Sequence, residues 1–258
     1  MKKFAVILIF CLAIASVTAQ EQKGDLWVLA VGINDYSANS QIFPNLQFCV
    51  NDAQNICEVF KVQEGKAFNN VHTLLIADTE TVKPTRSNIL SNLSFLRNAG
   101  PNDTVIVYFA LHSMTQDGVY YLLPSDFMHE TGERFVPASM INFNDILNSF
   151  GGQGAKIIML DTHYSETAIR LASSRDVAIL GACRDDEQAR ESSIYGGFFT
   201  YSIVNAFNGG AGLDGKITLG SLFAYVFDRV RGISRDRQNP VLYIPPRMGN
   251  PVLGLVDK

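Results

Sequence analysis

The chain has 258 residues, 47% of them hydrophobic and 18% charged, with a formal net charge of −4. That is enough apolar sequence for a sizeable core, at a length suited to one large domain. The charges are scattered without a basic stripe, which excludes a nucleic-acid partner, and there is no low-complexity tract, linker or solenoid-length repeat.

Residues 1–19 have the layout of a cleavable signal peptide. Lys2 and Lys3 precede the apolar run Phe4–Val17, and Val17-Thr18-Ala19 is a small-residue cleavage site. The run is too short to span a bilayer comfortably and a polar stretch follows at once. The expectation is a secreted or periplasmic protein with no stable membrane anchor after signal removal, and one domain over 20–258. The mature chain keeps Cys49, Cys57 and Cys183, an odd number that leaves at least one thiol free. Cys49 and Cys57, on one expected helix, lie roughly 12 Å apart along its axis, beyond disulfide reach.

Strands then alternate with helices. Leu26–Ile33 is a nearly continuous apolar run, as in a strand buried on both faces. Leu46–Lys61 predicts an amphipathic helix, Val71–Ile76 a strand and Thr85–Arg97 a helix with Ile89, Leu90, Leu93 and Leu96 on one side. Thr104–Ala110 is a third buried strand, Gly118–Leu123 a short extended excursion and Asn142–Phe150 a helix. Ala155–Asp161 and Val177–Cys183 complete the core strands; Phe198–Phe207 and Leu219–Val230 are helices, the latter capped by Thr218. Such alternation implies a three-layer α/β fold, a mainly parallel sheet with helices on both faces. The functional crevice then lies beyond the carboxyl ends of the strands, near Asn34-Asp35, Leu111-His112-Ser113, Thr162-His163-Tyr164 and Arg184-Asp185-Asp186.

The segments Trp27–Tyr36, Leu46–Ala53, Val105–Ser113, Ile157–Glu166 and Leu180–Glu191, followed by Gly196–Thr200 and Gly215–Leu219, together resemble the caspase–metacaspase (C14) peptidase family over nearly the whole mature chain. The resemblance implies a caspase-like fold and cysteine-type endopeptidase chemistry, in which a thiolate attacks the scissile carbonyl and a histidine assists. The family's base position falls on His112 and its nucleophile position on His163. Tyr164 stands for the usual histidine after the nucleophile, Glu166 for the glycine that closes the motif, and Leu111 and Ser113 for the glycines beside the base. The Ser113 backbone N–H still offers an oxyanion donor.

In metacaspase-type members two acids hold a basic P1 side chain, and these positions are Asp52 and Asp161, with Cys49 and Ser113 also assigned to substrate binding. Paired carboxylates suit an Arg or Lys guest through charge-assisted hydrogen bonds; a purely structural role, capping a loop or a strand-end turn, serves either acid equally well. The expectation is therefore a non-catalytic binding or regulatory module for a basic peptide or protein segment, an active caspase-like relative among the candidate partners. The alternative is an active C14-type endopeptidase or hydrolase using Ser165, Cys183 or His163, with Thr162 also near the position. His112 and His163 with Asp161 or Glu166 would make a thin metal site, so a hydrogen-bonded pair of neutral histidines is preferred. No metal and no cofactor are expected.

Overall fold

A computed structural model describes residues 23–39, 42–129, 135–212 and 214–256; the expected signal peptide lies outside the described residues. The chain opens with strand β1 (Leu26–Gly32), helix α1 (Cys49–Lys61), β2 (Val71–Ala77), α2 (Arg86–Asn92) and β3 (Thr104–Ala110). A small hairpin follows, β4 (Ser113–Gln116) and β5 (Val119–Leu122), joined by β6 (Ile141–Asn142) to α3 (Phe143–Leu147). Then come β7 (Lys156–Asp161), α4 (Ser165–Ala172), β8 (Ala178–Gly181), the short β9 (Glu191–Ser192) and β10 (Gly196–Gly197), and α5 (Phe198–Asn205). The chain closes with β11 (Lys216–Thr218), α6 (Leu219–Ser234), β12 (Val241–Tyr243) and β13 (Val252–Leu255).

The central sheet has the order β12-β8-β7-β3-β1-β2. It is parallel except for β12, which runs antiparallel to β8 at one edge. Strand alternation divides the core in two. Leu26, Val28 and Ala30 face residues of α1, α5 and α6, whereas Leu29 and Val31 face α2, α3, α4 and the small sheet. Every residue of β3 and of β7 is buried, which is why both have continuous apolar interiors, Val105–Ala110 and Ile157–Leu160. The result is the expected three-layer α/β sandwich.

Several boundaries differ from the expectation, each for a local reason. The helix expected over Thr85–Arg97 is α only to Asn92 and continues as a 3₁₀ turn over Leu93–Asn98. Ser91 and Asn92 donate to the Asn88 carbonyl and Ser94 to the Ser91 carbonyl, side-chain bonds that compete with the helical ladder. Helix α1 starts at Cys49 rather than Leu46, because Val50 N, which a helix from Leu46 would bond to the Leu46 carbonyl, donates instead to Asn34 Oδ1 at 3.2 Å. Helix α3 covers only Phe143–Leu147, and α5 ends at Asn205 in a π-turn that leaves through Gly209 at φ 97°. Helix α6 runs past Val230 to Ser234, started by the expected Thr218 cap, here a full capping box with Ser221. The extended stretch expected at Gly118–Leu123 is β5, while helix α4 and the other short antiparallel strands are not anticipated from the periodicity. Among the described residues no helix is long and apolar enough to cross a membrane.

Candidate active-site pocket

Strands β3 and β7 are parallel neighbours in register, with Ala110 opposite Asp161. Leu111-His112 and Thr162-His163 therefore leave the sheet side by side at its carboxyl edge. The sequence placed base and nucleophile positions at adjacent strand ends, and the fold brings them to one cavity of about 50 Å³, room for roughly three or four waters.

His112 is buried, its ring held between Tyr36 at 4.7 Å and Phe43 at 5.0 Å between centroids. Its Nε2 lies 2.8 Å from the Pro44 carbonyl. A carbonyl only accepts, so Nε2 carries the hydrogen and Nδ1 holds the lone pair. The backbone is fixed as firmly: His112 N donates to the Tyr36 hydroxyl at 3.2 Å, and that hydroxyl donates to the Leu123 carbonyl at 2.8 Å. Burial pushes the His112 pKa down.

His163 carries the complementary tautomer. The Ala189 backbone N–H donates to its Nδ1 at 3.1 Å, so Nδ1 is the acceptor and Nε2 bears the hydrogen. Burial first, and the nearby His112 second, bring its pKa down to about 4. The His163 carbonyl accepts from Ser113 Oγ at 2.8 Å and from the Tyr120 hydroxyl at 3.1 Å. Tyr164 follows in the left-handed region at φ 56° and launches α4. Leu123 N bonds the His112 carbonyl at 2.9 Å, so antiparallel alternation makes Ser113 and Leu122 a non-hydrogen-bonded pair and aims the Ser113 N–H away from β5.

Asp52, on α1, and Asp161, at the end of β7, are both buried and line the same cavity. Asp52 Oδ2 accepts from Gly197 N at 3.0 Å, and Asp161 Oδ2 accepts from Thr200 Oγ1 at 2.7 Å, a hydroxyl also 2.6 Å from the Tyr108 hydroxyl. A Cβ built on Gly197 would meet Asp52 Oδ2 at 2.6 Å and Asp161 Oδ2 at 2.7 Å. The two carboxylates thus flank a single point, and only glycine fits there. Burial and then the neighbouring Asp161 raise the Asp52 pKa to about 8, and burial raises that of Asp161 to about 6. Near neutral pH the empty pair holds a proton. Glu191, half-buried beside them, is raised by the same burial.

Cys49 also lines the cavity as a buried thiol whose pKa burial lifts well above the ordinary value. Cys49, Cys57 and Cys183 are all free. Neither Ser165 nor Cys183 lines the cavity. Ser165 is fully buried against Gly181 of β8, with Oγ donating to the Thr162 carbonyl at 2.8 Å. Cys183 is fully buried, its thiol pushed up to about 12. Thr162 lines the cavity, but its hydroxyl is 2.8 Å from the Tyr120 hydroxyl. Glu166 accepts from Asp185 N at 3.4 Å. Among the described residues no group of three or more His, Cys, Asp or Glu side chains could hold a metal ion.

The site also uses residues to which sequence reasoning gave no role. Pro44 sets the His112 tautomer, Tyr120 holds the His163 loop, Ala189 sets the His163 tautomer, and Gly197 and Thr200 position the acids. Arg190 lines the cavity with a buried Nε that has no partner among the described residues. Gly196-Gly197 was visible as part of a family-like segment, but nothing short of the fold shows that position 197 sits between two carboxylates.

A parallel sheet with a histidine at one strand end, a second histidine at the next and a following glycine-rich segment across from them fits the layout of a caspase-type peptidase domain. The family model Peptidase_C14, caspase domain, matches residues 25–247, and the chain belongs to that family. Among solved structures, protein GSU0716 from Geobacter sulfurreducens superposes with a TM-score of 0.62 at 10% identity, covering 90% of this chain and 100% of that one; the likeness is one of fold. No curated protein matches.

Proposed function

We propose that this chain is an exported caspase-like pseudoprotease, a binding or regulatory module that receives an Arg or Lys side chain between Asp52 and Asp161 without cleaving the peptide. The observation that carries the reading is the state of His163. Its Nδ1 lone pair is taken by the Ala189 N–H and its Nε2 bears the hydrogen, so neither nitrogen presents electrons to a carbonyl. The family's reaction needs a thiolate at this position, and the cavity's own thiol, Cys49, is held protonated.

His112 keeps its lone pair on Nδ1, as a base would, but has no thiol at the nucleophile position to act on. The acids keep their part. A guanidinium entering beside Gly197 would meet one carboxylate on each side and could bridge both, whereas an ammonium acts as a point charge; Arg should be preferred over Lys. Leu111, bulkier than the glycine it replaces, also lines the cavity and narrows it. The leader-like residues 1–19 support export, to the periplasm or beyond, with 20–258 as the mature domain. Its partner is a basic segment of a peptide or protein, an active relative included.

Fluorogenic Arg and Lys peptides, offered to the parent and to His163→Cys, test the reading. The parent should give no turnover. Turnover by the variant alone would leave the missing nucleophile as the sole defect. Turnover by the parent, with covalent labelling of Ser165 or Cys183 by a peptide electrophile, would establish the enzyme reading instead.

A further inference from the structure

A second recess, of about 510 Å³, lies on the other side of His163. Its walls are Ile42, Phe43, Met114, Phe135 and Tyr164, with Ser113 and Thr115 at the edge. Among the described residues no Asp, Glu, Lys or Arg lines it, in contrast to the acidic cavity with Asp52, Asp161 and Glu191. Phe43 packs on Phe135 at 5.7 Å and on His112 at 5.0 Å, so the aromatic wall continues into the setting of the base. His163 lines both compartments, so the two meet at this residue. An extended peptide advances only about 3.3 Å per residue, so one strand crossing that residue would reach both compartments within a residue or two.

We infer that the recess is a second subsite for the same peptide, taking a large aliphatic or aromatic side chain within two positions of the basic residue, on one side of it only. The inference rests on the binding reading above and adds to it a recognition pattern, one charged anchor and one apolar anchor separated by His163. One-sidedness follows from the layout, because the recess adjoins the acidic cavity only at the two neighbouring strand ends that carry His112-Ser113 and His163.

The test is fluorescence anisotropy with labelled Ala-rich peptides carrying one central Arg, with Leu or Phe placed in turn at each of the two positions on either side. Burying such a side chain in an open recess should tighten binding roughly tenfold, at positions on one side and not the other. Met114→Glu should bring the Leu-to-Ala affinity ratio back toward one. Thr115→Asp, at an exposed position and without risk to the core, should shrink the same ratio while leaving Arg dependence in place. A ratio of one at every position, or a ratio untouched by both variants, would overturn the inference. If Arg still outbinds norleucine in that case, only the apolar subsite fails; if it does not, the binding reading fails with it.

Discussion

The backbone N–H of Ala189 donates to Nδ1 of His163 at 3.1 Å, and that single bond determines what the His163 imidazole can do. It fixes an imidazole in the tautomer that has no free lone pair, and it ties the loop after β8 to the loop after β7. Protonating Nδ1 would replace an acceptor with a second donor facing the Ala189 N–H, which agrees in sign with the His163 pKa being held near 4.

A pH dependence of stability follows. His163 has a folded pKa of about 4 against an unfolded value near 6.5. The unfolded chain therefore takes up a proton first, and stability is lost as pH falls from about 6.5 toward 4. His163→Gln, which cannot titrate, should remove on the order of a few kcal/mol of that loss. Urea unfolding of both proteins at pH 7 and pH 4.5 measures it; equal pH effects in the two would contradict the neutral, tied imidazole.

Asp52 gives the opposite slope. Its folded pKa of about 8 lies above the unfolded value near 3.9, so its contribution is present at low pH and lost as pH rises toward 8. Asp52→Asn should therefore stabilise the empty protein at pH 8, by on the order of a few kcal/mol, while weakening Arg binding. Thermal melts at pH 5 and pH 8 would show the variant gaining on the parent at both, and gaining clearly more at the higher pH. A loss at both would mean that Asp52 serves structure alone.

Gly197→Ala should cost about 1–3 kcal/mol by overpacking and remove binding of Arg peptides, because its Cβ would stand 2.6 and 2.7 Å from the two carboxylate oxygens. Calorimetric titration of the folded variant checks this. Undiminished Arg binding would show that the guest does not enter between the acids.

Tyr120→Phe strips the Thr162 hydroxyl and the His163 carbonyl of a shared partner, at about 1–3 kcal/mol for buried polar groups left under-satisfied. Hydrogen exchange at Ala189, read by NMR, should accelerate as the His163 loop loosens. Unchanged protection would mean that Ser113 alone holds the loop.

The layered fold was legible because β1, β3 and β7 are buried on both faces and read largely as apolar runs, and because Thr218 announces a helix start. Of the short antiparallel strands only β5 was legible, as the extended stretch Gly118–Leu123, since the pairing of the others depends on distant partners such as Gly181 for Val241. His112, His163, Asp52 and Asp161 were found through family-like segments, and the fold gathers them at one cavity. What the sequence did not reveal is the support around them. Pro44 and Ala189 act through backbone atoms, which any residue possesses, so no side-chain pattern signals them. Tyr120 and Thr200 act through hydroxyls that look like ordinary core or strand residues until the chain is folded.

The central claim is binding of a basic side chain without cleavage, and the most direct measurement is isothermal titration of an Arg peptide and its norleucine counterpart at pH 8, with mass spectrometry of the recovered peptide. The Arg peptide should bind in the micromolar range or weaker, its norleucine counterpart roughly tenfold or more weaker, Asp161→Asn should lose about 1–3 kcal/mol, and the peptide should be recovered intact. Equal binding of the two peptides, or cleavage after the Arg, would contradict that claim.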